Sequence, residues 1–175
     1  SFDVVRKLRG ILGIRKIGHA GTLDPLAHGL MIVGIGSGTK KMNQYLKLDK
    51  TYIAHIRVGM STTTGDLEGE VVEEKVPHQN DMKPKDIEEI ALSLVGSHTL
   101  TVPLYSAIKV QGKPLYEYAR SDQQPPYIPE KDMHIQSVQY LDSYRSGNYH
   151  VVSLRLAVSS GTYIRTISEL FGEKI

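Results

Sequence analysis

Apolar residues recur at Phe2, Val5, Leu8 and Leu12, the spacing of a helix with one apolar face, and basic residues stand between them. The pattern predicts a short cationic amphipathic helix that Ser1 caps. A short apolar run, Leu30 to Ile35, reads as a buried strand, and GIGSGTKK as a tight turn into a helix at Met42 to Leu46. From Lys50 to Met60 the residues alternate. Tyr52, Ala54, Ile56 and Val58 face one side, Thr51, Ile53, His55 and Arg57 the other, as in a strand. The polar stretch STTTGDLEGE then turns the chain, and Val71 and Val72 begin a return strand.

Ile87, Ile90, Ala91, Leu94 and Val95 predict a helix over Pro84 to Val95, with Asp81 near its start and Gly96 as its stop. Ala107 to Val110 reads as a strand, Gln111 to Pro114 as a turn and Leu115 to Arg120 as a helical turn. Pro125, Pro126 and Pro129 mark a connector. Ile135 to Ser143 and Tyr149 to Ser159 form a strand pair around Ser146-Gly147-Asn148. Thr162 opens a last helix that Gly172 stops. Long strands, short turns and few helices make an α+β fold with a mixed, mostly antiparallel sheet flanked by helices.

The 175 residues suffice for one domain with a real core. No apolar run is long enough to span a membrane, and no secretion signal opens the chain. With no cysteine there is neither a disulfide nor a thiolate ligand, which fits a reducing compartment. The first fifty residues carry nine Lys or Arg against three acids, and the remainder twelve against sixteen. Such a basic segment suits a polyanion, or is simply a solvated charged face. The Tyr- and Lys-rich stretch from Thr101 to Asp122 leaves a similar choice, between unstacked bases and tyrosines packing a small core.

The stretch GHAGTLDPLAHG isolates a carboxylate, Asp24. A residue before proline is pushed out of the helical region, and Gly21 and Gly29 let the backbone bend on both sides. Leu23 and Leu26 are expected to anchor the loop in apolar surroundings. Asp24 is then either a turn initiator or a lone nucleophile or base that needs a cation to keep it ionised. Arg165 in SGTYIRTISEL is a candidate cation, or a solvent-facing helix residue. No paired carboxylate, metal-ligand spacing, dinucleotide or nucleotide-phosphate loop, or serine elbow is present in the sequence.

GHAGTLDPLAHGLMIVGIGSGTK resembles the catalytic segment of the TruB family of pseudouridine synthases. KTYIAHIRVGMSTTTGDLEG, YSAIKVQGKPLYEYAR and SSGTYIRTISELFG resemble three further blocks of that family. SFDVVRKLRG resembles the end of its N-terminal motif. The resemblance implies isomerisation of uridine to pseudouridine in RNA. In the stand-alone bacterial branch the target is uridine 55 in the T-arm stem-loop of tRNA. It also implies roles residue by residue. Asp24 matches the nucleophile, Tyr52 the tyrosine that stacks on the base, and Arg165 the arginine that pairs with the aspartate. Tyr163 matches a pocket tyrosine, and His19 the histidine that meets the RNA. Gly21 and Thr22 share that substrate-binding loop, and Lys109 lies in the segment that clamps the T-loop.

No cofactor, metal or membrane is expected, and the resemblance implies a cytoplasmic monomer. It also implies one catalytic domain over residues 1–175, incomplete at both termini, with a PUA-type RNA-binding domain expected after Ile175. His28, Thr63 and Val102 depart from the family pattern. Two alternatives stand beside this expectation: a guide-RNA-dependent synthase acting on ribosomal RNA, and a non-catalytic factor that binds and folds tRNA.

Overall fold

The computed structural model describes residues 1–75 and 82–175, and the expected role of Asp81 lies outside them. The described chain divides into two compact units, Ser1–Asp49 and Lys50–Ile175.

The first unit opens with helix α1 (Phe2–Leu12), as the periodicity predicts. Gly13 ends it in the left-handed region at φ 64°, its N–H donating to the Arg9 carbonyl. Of the four stripe residues Val5 is buried and Leu8 partly so, while Phe2 and Leu12 are exposed. Strand β1 (Ile17–His19) pairs antiparallel with β2 (Val33–Ile35). A 3-10 helix (Gly36–Lys41) and helix α2 (Met42–Leu46) follow. The run Leu30 to Ile35 is therefore not one buried strand. Only its last three residues form a strand, because β1 offers three, and Leu30 is 88% exposed. Gly34 is required where β2 meets the 3-10 helix: a Cβ there would lie 2.9 Å from the Gly38 carbonyl and from Met42 Cε.

The second unit is built on a four-stranded antiparallel sheet. Its strands are β3 (Lys50–Val58), β6 (Gly96–Thr101), β9 (Glu130–Ser146) and β10 (Tyr149–Val158), in the order β3-β10-β9-β6. Strand β3 alternates as predicted, with Ala54, Ile56 and Val58 buried. They join Val152, Leu154, Leu156 and Val158 of β10 and Met133, Ile135 and Val138 of β9 in one core. Helices α3 (Pro84–Leu92) and α5 (Ile164–Lys174) cover that face with Ile87, Ala91, Ile167 and Phe171. Two small hairpins stand beside the sheet: β4 (Met60–Thr62) with β5 (Val71–Glu74), and β7 (Lys109–Val110) with β8 (Lys113–Pro114). Helix α4 (Leu115–Arg120) follows the second. At the surface the Tyr149 hydroxyl donates to Glu74 at 2.7 Å, tying β5 to β10, and Arg57 stacks 4.7 Å over the same ring. The Glu74 bond favours the protonated phenol and pushes the Tyr149 pKa up.

Several boundaries differ from the sequence expectation. Helix α3 ends at Leu92, three residues early, because Leu94 turns into the core and Gly96 (φ 128°) starts β6 instead of stopping a helix. Strand β6 has no counterpart in the sequence reading; its buried face is carried only by Gly96, His98 and Leu100, each partly covered. Strand β9 runs five residues further at its start than expected and three further at its end, since β6 and β10 supply partners there. Helix α5 begins at Ile164, not Thr162, and passes through Gly172 to Lys174. A glycine inside a helix costs only about 1 kcal/mol. Burial of Phe171 beside it holds the helix through that point.

Leu154 is fully buried at the centre of the sheet. Leu154→Ala is expected to lower the unfolding free energy by about 3 kcal/mol, measured by urea denaturation.

Candidate active site

In the first unit β1 ends at His19 and runs into the loop that carries Gly21, Thr22 and Asp24. The Ala20 N–H donates to the Ile32 carbonyl (2.9 Å) and closes the base of this loop. Gly21 (φ 108°) and Gly29 (φ 143°) take the bends that residues with side chains rarely adopt. Between them the Asp24 carbonyl accepts the Ala27 N–H at 2.9 Å, a turn with Pro25 at its second position. Histidine 19 Nδ1 donates to the Gly21 carbonyl at 2.7 Å. A carbonyl only accepts, so Nδ1 carries the proton and the ring is held in one orientation. Asp24 and Thr22 are exposed.

The loop is held by polar contacts more than by the apolar anchors expected of it. Leu26 is 48% exposed, and Leu23 only partly buried. The Leu23 N–H instead donates to Ser1 Oγ at 2.9 Å. Ser1 does occupy the cap position of α1, but its hydroxyl makes no bond to that helix. The result is a rigid turn that presents the Asp24 carboxylate.

Tyr52, Lys109, Tyr163 and Arg165 belong to the second unit. Tyr52 lies on the core face of β3, opposite Leu156 of β10, partly buried against the core. Tyr163 takes the cap position of α5 (φ −96°, ψ 110°) and packs against both the main core and a smaller cluster of Val102, Val110 and Leu115. Lys109, on β7, is exposed.

The corner before α5 is pinned to β9. Ser159 N–H donates to the His134 carbonyl (2.9 Å) and Ser159 Oγ accepts the His134 N–H (3.1 Å). Lys131 Nζ donates to the Gly161 carbonyl at 2.8 Å. Two residues past Tyr163, Arg165 is partly buried, not solvent-facing. Its Nη1 donates to the Thr64 carbonyl (2.9 Å) and its Nη2 to the Tyr105 carbonyl (3.1 Å). These two carbonyls help fix the orientation of the guanidinium.

Two residues of this region received no role from the sequence. Asp66 organises the loop between β4 and β5: its carboxylate accepts Thr64 Oγ1 (2.6 Å) and the Glu68 N–H (3.0 Å). The signal was an Asp two residues before a backbone donor in a glycine-containing loop, the pattern of an Asx turn. Glu169 stands one helical turn beyond Arg165 and lines a cleft with Thr63, Thr64, Pro103 and Thr166. Much of its side chain is exposed. Its carboxylate lies against Gly65, where desolvation pushes its pKa up, against the opposing pull of Arg165.

Residues 9–164 match the family model described as TruB family pseudouridylate synthase (N terminal domain). The chain belongs to the TruB family of pseudouridylate synthases. Among its relatives, the tRNA pseudouridine synthase B of Bacillus subtilis is 39% identical over 177 aligned residues, covering 100% of this chain and 56% of that protein. That of Streptococcus gordonii is 42% identical over 177, covering 100% and 60%. The chain therefore spans little more than half the length of these curated relatives. Among solved structures, a Cbf5-Nop10-Gar1 complex contains a chain of the same fold. The TM-score is 0.65 at 24% identity, covering 98% of this chain and 40% of that one.

The raised Glu169 pKa sets the sign of one prediction. Between its ordinary value of 4.5 and the raised native value, the folded state holds more protons than the unfolded chain. Stability from this group therefore falls as pH rises through that window. Glu169→Gln should match wild type in acid, below the window, and be modestly more stable at neutral pH, as read by urea denaturation at both.

Proposed function

We propose that this chain supplies the catalytic region of an enzyme that isomerises a uridine of tRNA to pseudouridine, at position 55 of the T-arm. The observation that carries this reading is the loop GHAGTLDPLAHG. In a chain of this family, it displays Asp24 on a turn closed by backbone hydrogen bonds. The relatives named tRNA pseudouridine synthase B align over the whole chain, and this favours a stand-alone tRNA enzyme over a guide-dependent one.

The reaction breaks the glycosidic bond to N1 of the base, turns the base and joins C5 to the sugar. C5 gives its proton to solvent and the freed N1 takes one up, so atoms balance with no redox step. A base stacked in an RNA loop must first be flipped out, at a cost of a few kcal/mol. Stacking on an aromatic face such as Tyr52 recovers about 1–3 kcal/mol of that cost. In this reading Asp24 is the nucleophile that keeps the detached base tethered while it turns. Tyr52 also assists loss of the C5 proton. Arg165 supplies the cation that favours the ionised carboxylate. Tyr163 lines the pocket, and His19, Gly21, Thr22 and Lys109 meet the RNA. The enzyme works as a cytoplasmic monomer, and no described helix is long and apolar enough to cross a membrane.

The test uses the full-length protein and T-arm RNA tritiated at uridine C5. Wild type is expected to release tritium, and Asp24→Asn to release it more than about a hundredfold more slowly while still binding RNA. Binding without release by wild type would overturn the enzymatic reading, and full release by Asp24→Asn would remove Asp24 as nucleophile.

The basic first fifty residues make a second outcome expected: tRNA affinity falls steeply with salt as counterions are released. A flat salt titration would exclude that segment as the RNA-facing surface.

A further inference from the structure

The corner between β10 and α5 is tied to β9 at two points, and the second depends on one side chain. At the first, the backbone of His134 holds Ser159. The Thr162 N–H donates to the Ser159 carbonyl at 3.2 Å and closes a turn over residues 159–162. Gly161, the third residue of this turn, is exposed and takes φ 77°. A glycine rotates more freely than any other residue. Gly161 is therefore the soft point between the pinned Ser159 and Tyr163, two residues further on.

Lys131 stiffens that point. Its Nζ donates to the Gly161 carbonyl at 2.8 Å and stands 6.0 Å from the centre of the Tyr163 ring. The ring lies at the outer limit of a cation–π contact, so the hydrogen bond is the main tie. The ammonium sits so close to the glycine that an added Cβ would run into Nζ. Lys131 also breaks the pattern of its strand. Met133 and Ile135, two and four residues on, are fully buried, so Lys131 stands on the core-facing side of β9, where an apolar residue is expected. It is partly buried, and among the described residues it forms no ion pair with a carboxylate. The carbonyl and the ring are the partners that this placement serves.

We propose that Lys131 is a positioning residue: by holding the Gly161 carbonyl it fixes the turn from which Tyr163 departs, and with it the direction of the Tyr163 ring. The inference rests on the pseudouridine-synthase reading, which makes that ring a wall of the pocket for the target base. Lys131 acts as a hydrogen-bond donor within the protein and not as a charge offered to RNA.

The experiment is single-turnover tritium release by the full-length protein at saturating T-arm RNA, with RNA affinity measured across a salt series. Lys131→Met keeps most of the stem and loses the donor. It is expected to slow release about five- to fiftyfold, the cost of a small misplacement in the pocket, with affinity within about twofold and an unchanged salt slope. Lys131→Arg keeps a charged donor and should recover most of the rate. Lys131→Gln keeps a neutral donor and should lie between. In a Tyr163→Leu background the Lys131→Met change should cost less than about twofold more, because its effect passes through the ring.

The proposal is overturned if Lys131→Met releases tritium at the wild-type rate, if Lys131→Arg is as slow as Lys131→Met, or if the losses with Tyr163→Leu multiply. It is also overturned if affinity alone falls, with a salt slope shallower by about one, because the ammonium then meets an RNA phosphate. Should Lys131→Met fail to fold by circular dichroism, the Gln and Arg variants decide by the same rates. Wild type that binds RNA and releases no tritium removes the enzymatic reading first, a result separate from any difference among the variants.

Discussion

Strand β10 is the constraint on which the second unit depends. Among the described residues it is the one strand paired along its length on both sides, with β3 and with β9. Val152, Leu154, Leu156 and Val158 point from it into the core and are fully buried. A two-residue alternation cannot slip by one place without turning all four to the opposite face. The register of β10 therefore carries to its neighbours, and places Tyr52 opposite Leu156. At its end the Ser159–Thr162 corner is tied back to β9, so α5 starts at a defined point with Tyr163 at its cap and Arg165 in its first turn.

The two segments that carry the candidate chemistry obey a different rule. Neither the Asp24 loop nor the 62–70 loop is held mainly by apolar burial. Each is closed by hydrogen bonds from backbone donors and short side chains: Ser1 and His19 in the first, Asp66 and the threonines in the second. A polar group that must meet a ligand has to stay near solvent, so the precision of its placement comes from local hydrogen bonds on a packed scaffold. Arg165 joins the two strategies. Its helix is anchored in the core by Ile167 and Phe171, and its guanidinium is aimed by two loop carbonyls.

Much of this was legible in the chain. The alternation of β3 and β10 produced strands close to those observed, because each buries one face; α1 and α4 also form where expected, with Val5 and Leu115 as their buried residues. Strand β6 was not legible, since GSHTLT holds a single large apolar residue and becomes a strand by pairing with β9. The run Leu30 to Ile35 misled in the opposite sense. Its composition suits a buried strand, yet the partner strand is only three residues long. Asp24 was legible as a carboxylate held by glycines and a proline. The Ser1 contact to Leu23 was not, because nothing in the sequence pairs residues so far apart.

By itself the sequence determined the kinds of element, the alternating faces of the sheet and the residue types available for chemistry. All of these follow from local sterics and from which side chains prefer to leave water. The tertiary structure alone decided which apolar run found a partner, where α3 and α5 end, and what holds each functional side chain. Those outcomes depend on donors and acceptors brought together across long separations, as when Arg165 meets the carbonyls of Thr64 and Tyr105. A backbone carbonyl is present at every residue, so no pattern of residue types marks in advance the two that an arginine will use.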